Sequence, residues 1–162
     1  MYKKVIALVL SVAALFTFAS CSMLDTLLNK DNSSSNKSSE DGYQFKVGEN
    51  ASTMFFDFTV VSAEKVDEYA GILPTEGNQL IAVVATVTNT FGSELEMYAD
   101  DFFLQWGKNG EIESGVFPIE AIDDTMAPET YFLADGETME FHYIFEVPST
   151  AQELHFVYSE VY

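Results

Sequence analysis

Alternation of apolar and polar residues with a period of two constrains this chain more than any other feature. Over 138–147, Met139, Phe141, Tyr143 and Phe145 fall on one face. Over 54–65, Met54, Phe56, Phe58 and Val60 do the same, with Asp57 and Thr59 opposite. Successive side chains of a strand point to opposite faces, so such runs predict half-buried β-strands. The run Leu80-Ile81-Ala82-Val83-Val84-Ala85 is apolar without alternation and predicts a central strand buried on both faces. On that reading an aspartate at Val84 would unfold the domain by burying an unpaired charge.

Turn chemistry separates these runs. Gly48-Glu49-Asn50 follows a first short strand carrying Tyr43, Phe45 and Val47. The stretch 67–78, with Gly71, Pro74 and Gly77, predicts a loop, and Asn89-Thr90-Phe91-Gly92 a turn. The strand region 95–106 is interrupted at Ala99-Asp100-Asp101. Asn109-Gly110 between apolar segments predicts a tight hairpin returning over 111–117. The acidic, irregular segment 118–129 accommodates at most one helical turn. A short strand at 131–133, the strand before Pro148, and a closing strand with Leu154, Phe156 and Tyr158 aligned complete the pattern. About eight short strands at roughly 8–14-residue spacing predict an all-β antiparallel sandwich.

The N-terminus has a different character. Lys3 and Lys4 precede an apolar run from Val5 to Ala19, closed by Phe18-Ala19-Ser20-Cys21. A positive start, an apolar stretch and a small-residue exit are the parts of a secretory signal peptide. The run is short for a membrane span, which needs about 20 apolar residues. Cys21 is the only cysteine, so no disulfide explains it. Small residues ending in a cysteine resemble the lipobox of bacterial lipoproteins, with Phe18 where leucine is usual. That resemblance implies cleavage before Cys21 and acylation of its thiol. The competing reading is an ordinary signal peptide cut after Ala19, with a free thiol.

The expected organisation is a signal segment over 1–20, a lipidated cysteine and flexible Ser/Asn-rich tether over 21–42, and a sandwich domain over 43–162. The spacing of Met23, Leu24, Leu27 and Leu28 allows a short helical turn early in the tether. As coil, the tether spans about 25 Å. The domain carries 22 acids and 3 lysines, and the chain contains no arginine. That charge repels phosphate backbones and anionic lipid surfaces, so nucleic acid is not an expected partner.

The order of short pieces in the domain is familiar. Phe56-Asp57-Phe58-Thr59-Val60, Glu76-Gly77-Asn78, Val87-Thr88-Asn89-Thr90, Asp101-Phe102-Phe103-Leu104, Ala134-Asp135-Gly136-Glu137 and Phe145-Glu146-Val147-Pro148 together resemble the domain of unknown function 4352 family. The resemblance covers about 43–162 and implies an immunoglobulin-like fold common in lipoproteins of Gram-positive bacteria. It implies no shared activity.

Residues able to do chemistry are few. His142 and His155 are the histidines, on strands that also carry Glu140, Glu146 and Glu153, and could face each other across neighbouring strands. Two histidines and a carboxylate can hold a metal, but no ligand spacing supports a site. Asp100-Asp101 and Asp123-Asp124 lack a calcium loop around them. Trp106 reads as a half-buried hairpin aromatic rather than a sugar platform. The expectation is therefore a non-enzymatic module with no cofactor and no metal site. Its predicted place is the extracytoplasmic face of the bacterial membrane, held by lipid at Cys21, with a protein or cell-wall ligand. An accessory envelope hydrolase or metal-dependent enzyme, and a purely structural spacer, stand as alternatives.

Overall fold

The structure is a computed structural model that describes residues 5–12, 37–38 and 42–161, with side chains over 45–158. Cys21, the signal exit and most of the tether lie outside the described residues. The strands are β1 (Val5–Val12), β2 (Lys37–Ser38), β3 (Gly42–Phe45), β4 (Asn50–Ser52), β5 (Phe56–Val66), β6 (Asn78–Asn89), β7 (Leu95–Tyr98), β8 (Phe102–Lys108), β9 (Glu111–Val116), β10 (Thr130–Leu133), β11 (Thr138–Pro148) and β12 (Gln152–Val161). Two layers form the domain. One sheet has the order β11-β6-β5-β4, the other contains β12-β8-β9, and β7 pairs with β10 beside them. Every strand-to-strand pairing among β4–β12 is antiparallel. The expected sandwich is present, with more than eight strands, of which β5, β6, β11 and β12 are long.

Aromatic rings bind the layers together. Phe56 meets Tyr158 edge-on at 4.7 Å between ring centroids, and Phe58 meets Phe102 at 5.5 Å. Phe156 stacks on Phe102 at 5.2 Å and contacts Tyr143 at 5.4 Å. Offset and edge-to-face pairs of this kind add about 0.5–1.5 kcal/mol each beyond their burial. Without a disulfide in the domain, this aromatic centre holds the sheets together. Tyr131 and Tyr143 share a buried hydroxyl contact at 3.3 Å, and burial raises both phenols above their ordinary range.

Several expectations shift at this level. Met54 does not join the face of Phe56, Phe58 and Val60; it lies in the turn before β5, 70% exposed. Thr53 holds that turn, accepting from the backbone N–H groups of Phe55 and Phe56 through its hydroxyl. The central strand β6 is buried on both faces only in its first half. Leu80 and Ala82 pack with Met126 and Ile144 in a second small core outside the sandwich. Further along, Val84, Thr86 and Thr88 are half-buried on the outer face, while Val83, Ala85 and Val87 face the main core. Val84 is therefore not the buried position expected of it; Val83 is. No helical turn forms in 118–129.

The expected interruption between β7 and β8 is a 3-10 turn over Ala99–Asp101, and Asp101 accepts from the backbone N–H of Tyr98 at 2.8 Å. The Asn-Gly hairpin also forms, with φ of 56° at Asn109 and 81° at Gly110. Its tip is fastened by Glu153, whose carboxylate accepts both backbone N–H groups, from Asn109 at 2.9 Å and Gly110 at 2.8 Å. Trp106 is half-buried against the core, as its position predicts.

Part of the expected signal segment enters the second sheet. Val5–Val12 pairs antiparallel with β12, from Val5 opposite Val161 to Val12 opposite Leu154. A β-branched apolar run readily adds to an open strand edge. At the end of the expected tether, Lys37–Ser38 pairs with Gly42–Tyr43 rather than continuing as coil.

Candidate functional site

The segment 117–129 crosses the outer edge of β11 and closes it. Ile119 donates to the carbonyl of Ile144 at 2.7 Å, Ala127 to that of His142 at 3.2 Å, and His142 donates to the carbonyl of Thr125 at 2.9 Å. An exposed strand edge is a template for unwanted pairing, and a covering loop removes it. The sequence of this strap explains its shape. The Asp123 carboxylate accepts from the Thr125 backbone N–H at 2.9 Å, its hydroxyl at 2.6 Å and the Met126 N–H at 3.2 Å. That Asx-type turn drives Met126 down into the second core.

A second loop meets the strap over the same face. In 67–77, a two-residue turn with φ of 47° at Ala70 and 90° at Gly71 joins Tyr69 to Ile72. Positive φ at both central positions is the signature of a type I′ turn. It presents the Tyr69 hydroxyl to His142 Nδ1 at 2.8 Å and to Thr125 Oγ1 at 2.9 Å. A carboxylate only accepts, so the Thr125 hydroxyl donates to Asp123 and accepts from Tyr69. The single Tyr69 proton is then spent, and His142 must supply Nδ1–H. The chain therefore runs His142 to Tyr69 to Thr125 to Asp123, and it holds with His142 neutral or charged. The Thr125 bonds, with His142 adding a smaller pull, keep the Asp123 carboxyl below its ordinary range.

Two hollows flank the strap and share Ala121 in their lining. One, of about 450 Å³, is lined by Ala121, Ile122, Asp123, Asp124, Met126, Pro128 and Phe141. The other, of about 300 Å³, is lined by Ala99, Asp100, Pro118, Glu120, Ala121, Ala127 and Glu129. Sequence reasoning placed these acids in irregular loops and missed that they converge. Asp100 and Glu120 share a hollow only because the Ala99–Asp101 turn and the strap pack together.

The histidines do not face each other. His142 lies on the outer face of β11 in one sheet, and His155 lies on β12 in the other, opposite Gln105. Their neighbours Tyr143 and Phe156 fill the core between them. His155 Nδ1 is enclosed with no hydrogen-bond partner among the described residues, and burial lowers its proton affinity against the opposing pull of Glu153. Two of the glutamates on these strands, Glu146 and Glu153, hold backbone instead. Glu146 accepts from the Thr75 N–H at 2.9 Å, from Asn78 Nδ2 at 2.8 Å and from the Thr75 hydroxyl. Glu153 fastens the hairpin described above. Among the described residues, no three His, Cys, Asp or Glu side chains converge in metal-binding geometry.

Comparison with known proteins adds the fold. No family model matches the chain, and no curated protein matches it. Among solved structures, the YjhA protein of Bacillus subtilis overlays with a TM-score of 0.55 at 20% identity, over 70% of this chain and 80% of that one. The chain shares its fold with YjhA. A candidate lipoprotein of Bacillus subtilis, YcdA, overlays with a TM-score of 0.54 at 16% identity, over 70% of this chain and 34% of that one. An uncharacterized beta-sandwich protein of Clostridium difficile overlays with a TM-score of 0.45 at 15% identity, over 71% of this chain and 90% of that one.

Proposed function

We propose that this protein is a lipid-anchored binding module on the outer face of a bacterial cell membrane, held at Cys21 and engaging a partner of the cell envelope. The anchor rests on the leader pattern and the lone cysteine at its exit. The family resemblance and the fold likeness to the candidate lipoprotein YcdA support the same location. The domain cannot replace the anchor, because its 22 acids against 3 lysines oppose an anionic leaflet. Two acyl chains attach a protein stably where one is marginal.

The observation that carries the binding role is the use made of the polar residues around the strap. Tyr69, His142, Thr125 and Asp123 bond to one another and hold two loops together. Their bonds to one another and across the loops support a part in shaping a surface. Open hollows lie beside them. Recognition uses such a surface without further chemistry. The anchor is tested by mass spectrometry and fractionation. The wild type should begin at an acylated Cys21 and sediment with membranes. Cys21→Ser should block lipid-dependent processing, leaving an uncleaved precursor or releasing the protein from the membrane. A soluble mature chain beginning at Ser20 with an unmodified thiol would overturn the anchor.

A further inference from the structure

Resting on the binding-module reading, the geometry points to one class of partner: we propose that the strap groove docks an extended peptide segment in which lysine or arginine alternates with apolar residues. The two hollows share Ala121 in their lining, and Pro118, Ala127, Pro128 and Phe141 contribute apolar floor to one or the other. Ile122 stands at the rim, 51% exposed. Apolar side chains spaced along an extended peptide fit hollows spaced along a strap.

The rim fixes the sign of the partner's charge. Five acids elsewhere in the domain, Glu49, Asp101, Glu137, Glu146 and Glu153, accept from main-chain N–H groups. Around the groove the carboxylates of Asp100, Glu120, Asp124 and Glu129 have no hydrogen bond or ion pair among the described residues. None of the domain's three lysines lines either hollow. Free carboxylates around an apolar floor complement a cationic, amphipathic segment. The charges steer and orient it, and the floor supplies affinity that salt does not screen.

The domain's overall charge attracts any polycation, so the test must separate the groove from the field. Binding of a short peptide of alternating lysine and leucine to the mature protein is measured at physiological salt, beside spermine as a polycation without apolar side chains. Replacing three rim acids (Glu120→Gln, Asp124→Asn, Glu129→Gln) should weaken peptide binding about tenfold, as losing several close charge pairs does. The same loss of charge at three remote exposed acids (Glu64→Gln, Glu111→Gln, Glu113→Gln) should weaken it less than about twofold, since screening confines those charges to their own neighbourhood. Ile122→Asn should weaken the peptide and leave spermine unchanged. All six acids are exposed and unbonded, so thermal unfolding should confirm that both triple variants stay folded. Equal losses in the two triples, an unaffected Ile122→Asn, or spermine binding as tightly as the peptide would each overturn the groove. Lipid attachment is read separately by fractionation, so the groove and the anchor fail independently.

Discussion

The Tyr69 hydroxyl lies 2.8 Å from Nδ1 of His142, joining the loop between β5 and β6 to the outer face of β11. The same hydroxyl contacts Thr125 on the strap, so one hydroxyl, accepting from one side and donating to the other, holds three segments remote in sequence. The ring of Tyr69 also rests edge-on against the imidazole, at 5.9 Å between centroids.

Removing that hydroxyl should cost stability without disturbing the core. Tyr69→Phe keeps the ring contact and loses two hydrogen bonds at a half-buried position. Urea unfolding should show a loss of about 1–2 kcal/mol with an unchanged denaturant slope. Thr125→Val should cost a similar amount, and the double variant less than the sum, because both changes break one network. Strictly additive losses would show that the hydroxyl contacts act independently.

Acid should loosen the two loops over this face. The Thr125 hydroxyl bond holds Asp123 below the ordinary carboxylate range, and the Thr75 and Asn78 bonds do the same for Glu146. A carboxyl with a lowered folded-state value contributes stability above its unfolded value of about 4, and loses it as pH falls through the folded value. Burial raises Asp101, which acts with the opposite sign and offsets part of the effect. Unfolding measured from about pH 5 down to about pH 2 should show a shallower fall for Asp123→Asn with Glu146→Gln than for the wild type. Parallel curves would remove both carboxyls from the acid response.

Adjacent valines in β6 should differ sharply. Val83 is fully buried in the main core, and Val83→Asp should abolish cooperative unfolding by placing an unpaired charge there. Val84 lies half-buried on the outer face opposite His142, and Val84→Asp should cost about 1 kcal/mol and keep the fold. Thermal melts of the two variants decide this, and a melt for Val84→Asp as damaged as that for Val83→Asp would show the outer face to be closed.

The sequence by itself determined the strands, most of their inward faces and the turns between them. Phe56, Phe58 and Val60 share a buried face, as do Phe141, Tyr143 and Phe145, because a period of two is a property of the strand alone. Asn109-Gly110 made its hairpin because both residues tolerate positive φ. Only the tertiary structure decided which sheet each strand joins and what covers it. His142 and His155 stand on opposite outer faces because β11 pairs with β6 and β12 with β8, choices that local periodicity does not contain. Val84 lost the burial suggested by its apolar neighbours because the strap covers Leu80 and Ala82 and leaves Val84 only half-buried. The convergence of Tyr69, Thr125 and His142, and of the acids around Ala121, arises from loops packed across long sequence separations. Contacts of that kind are set by how layers and loops fill space together, and no local pattern encodes them.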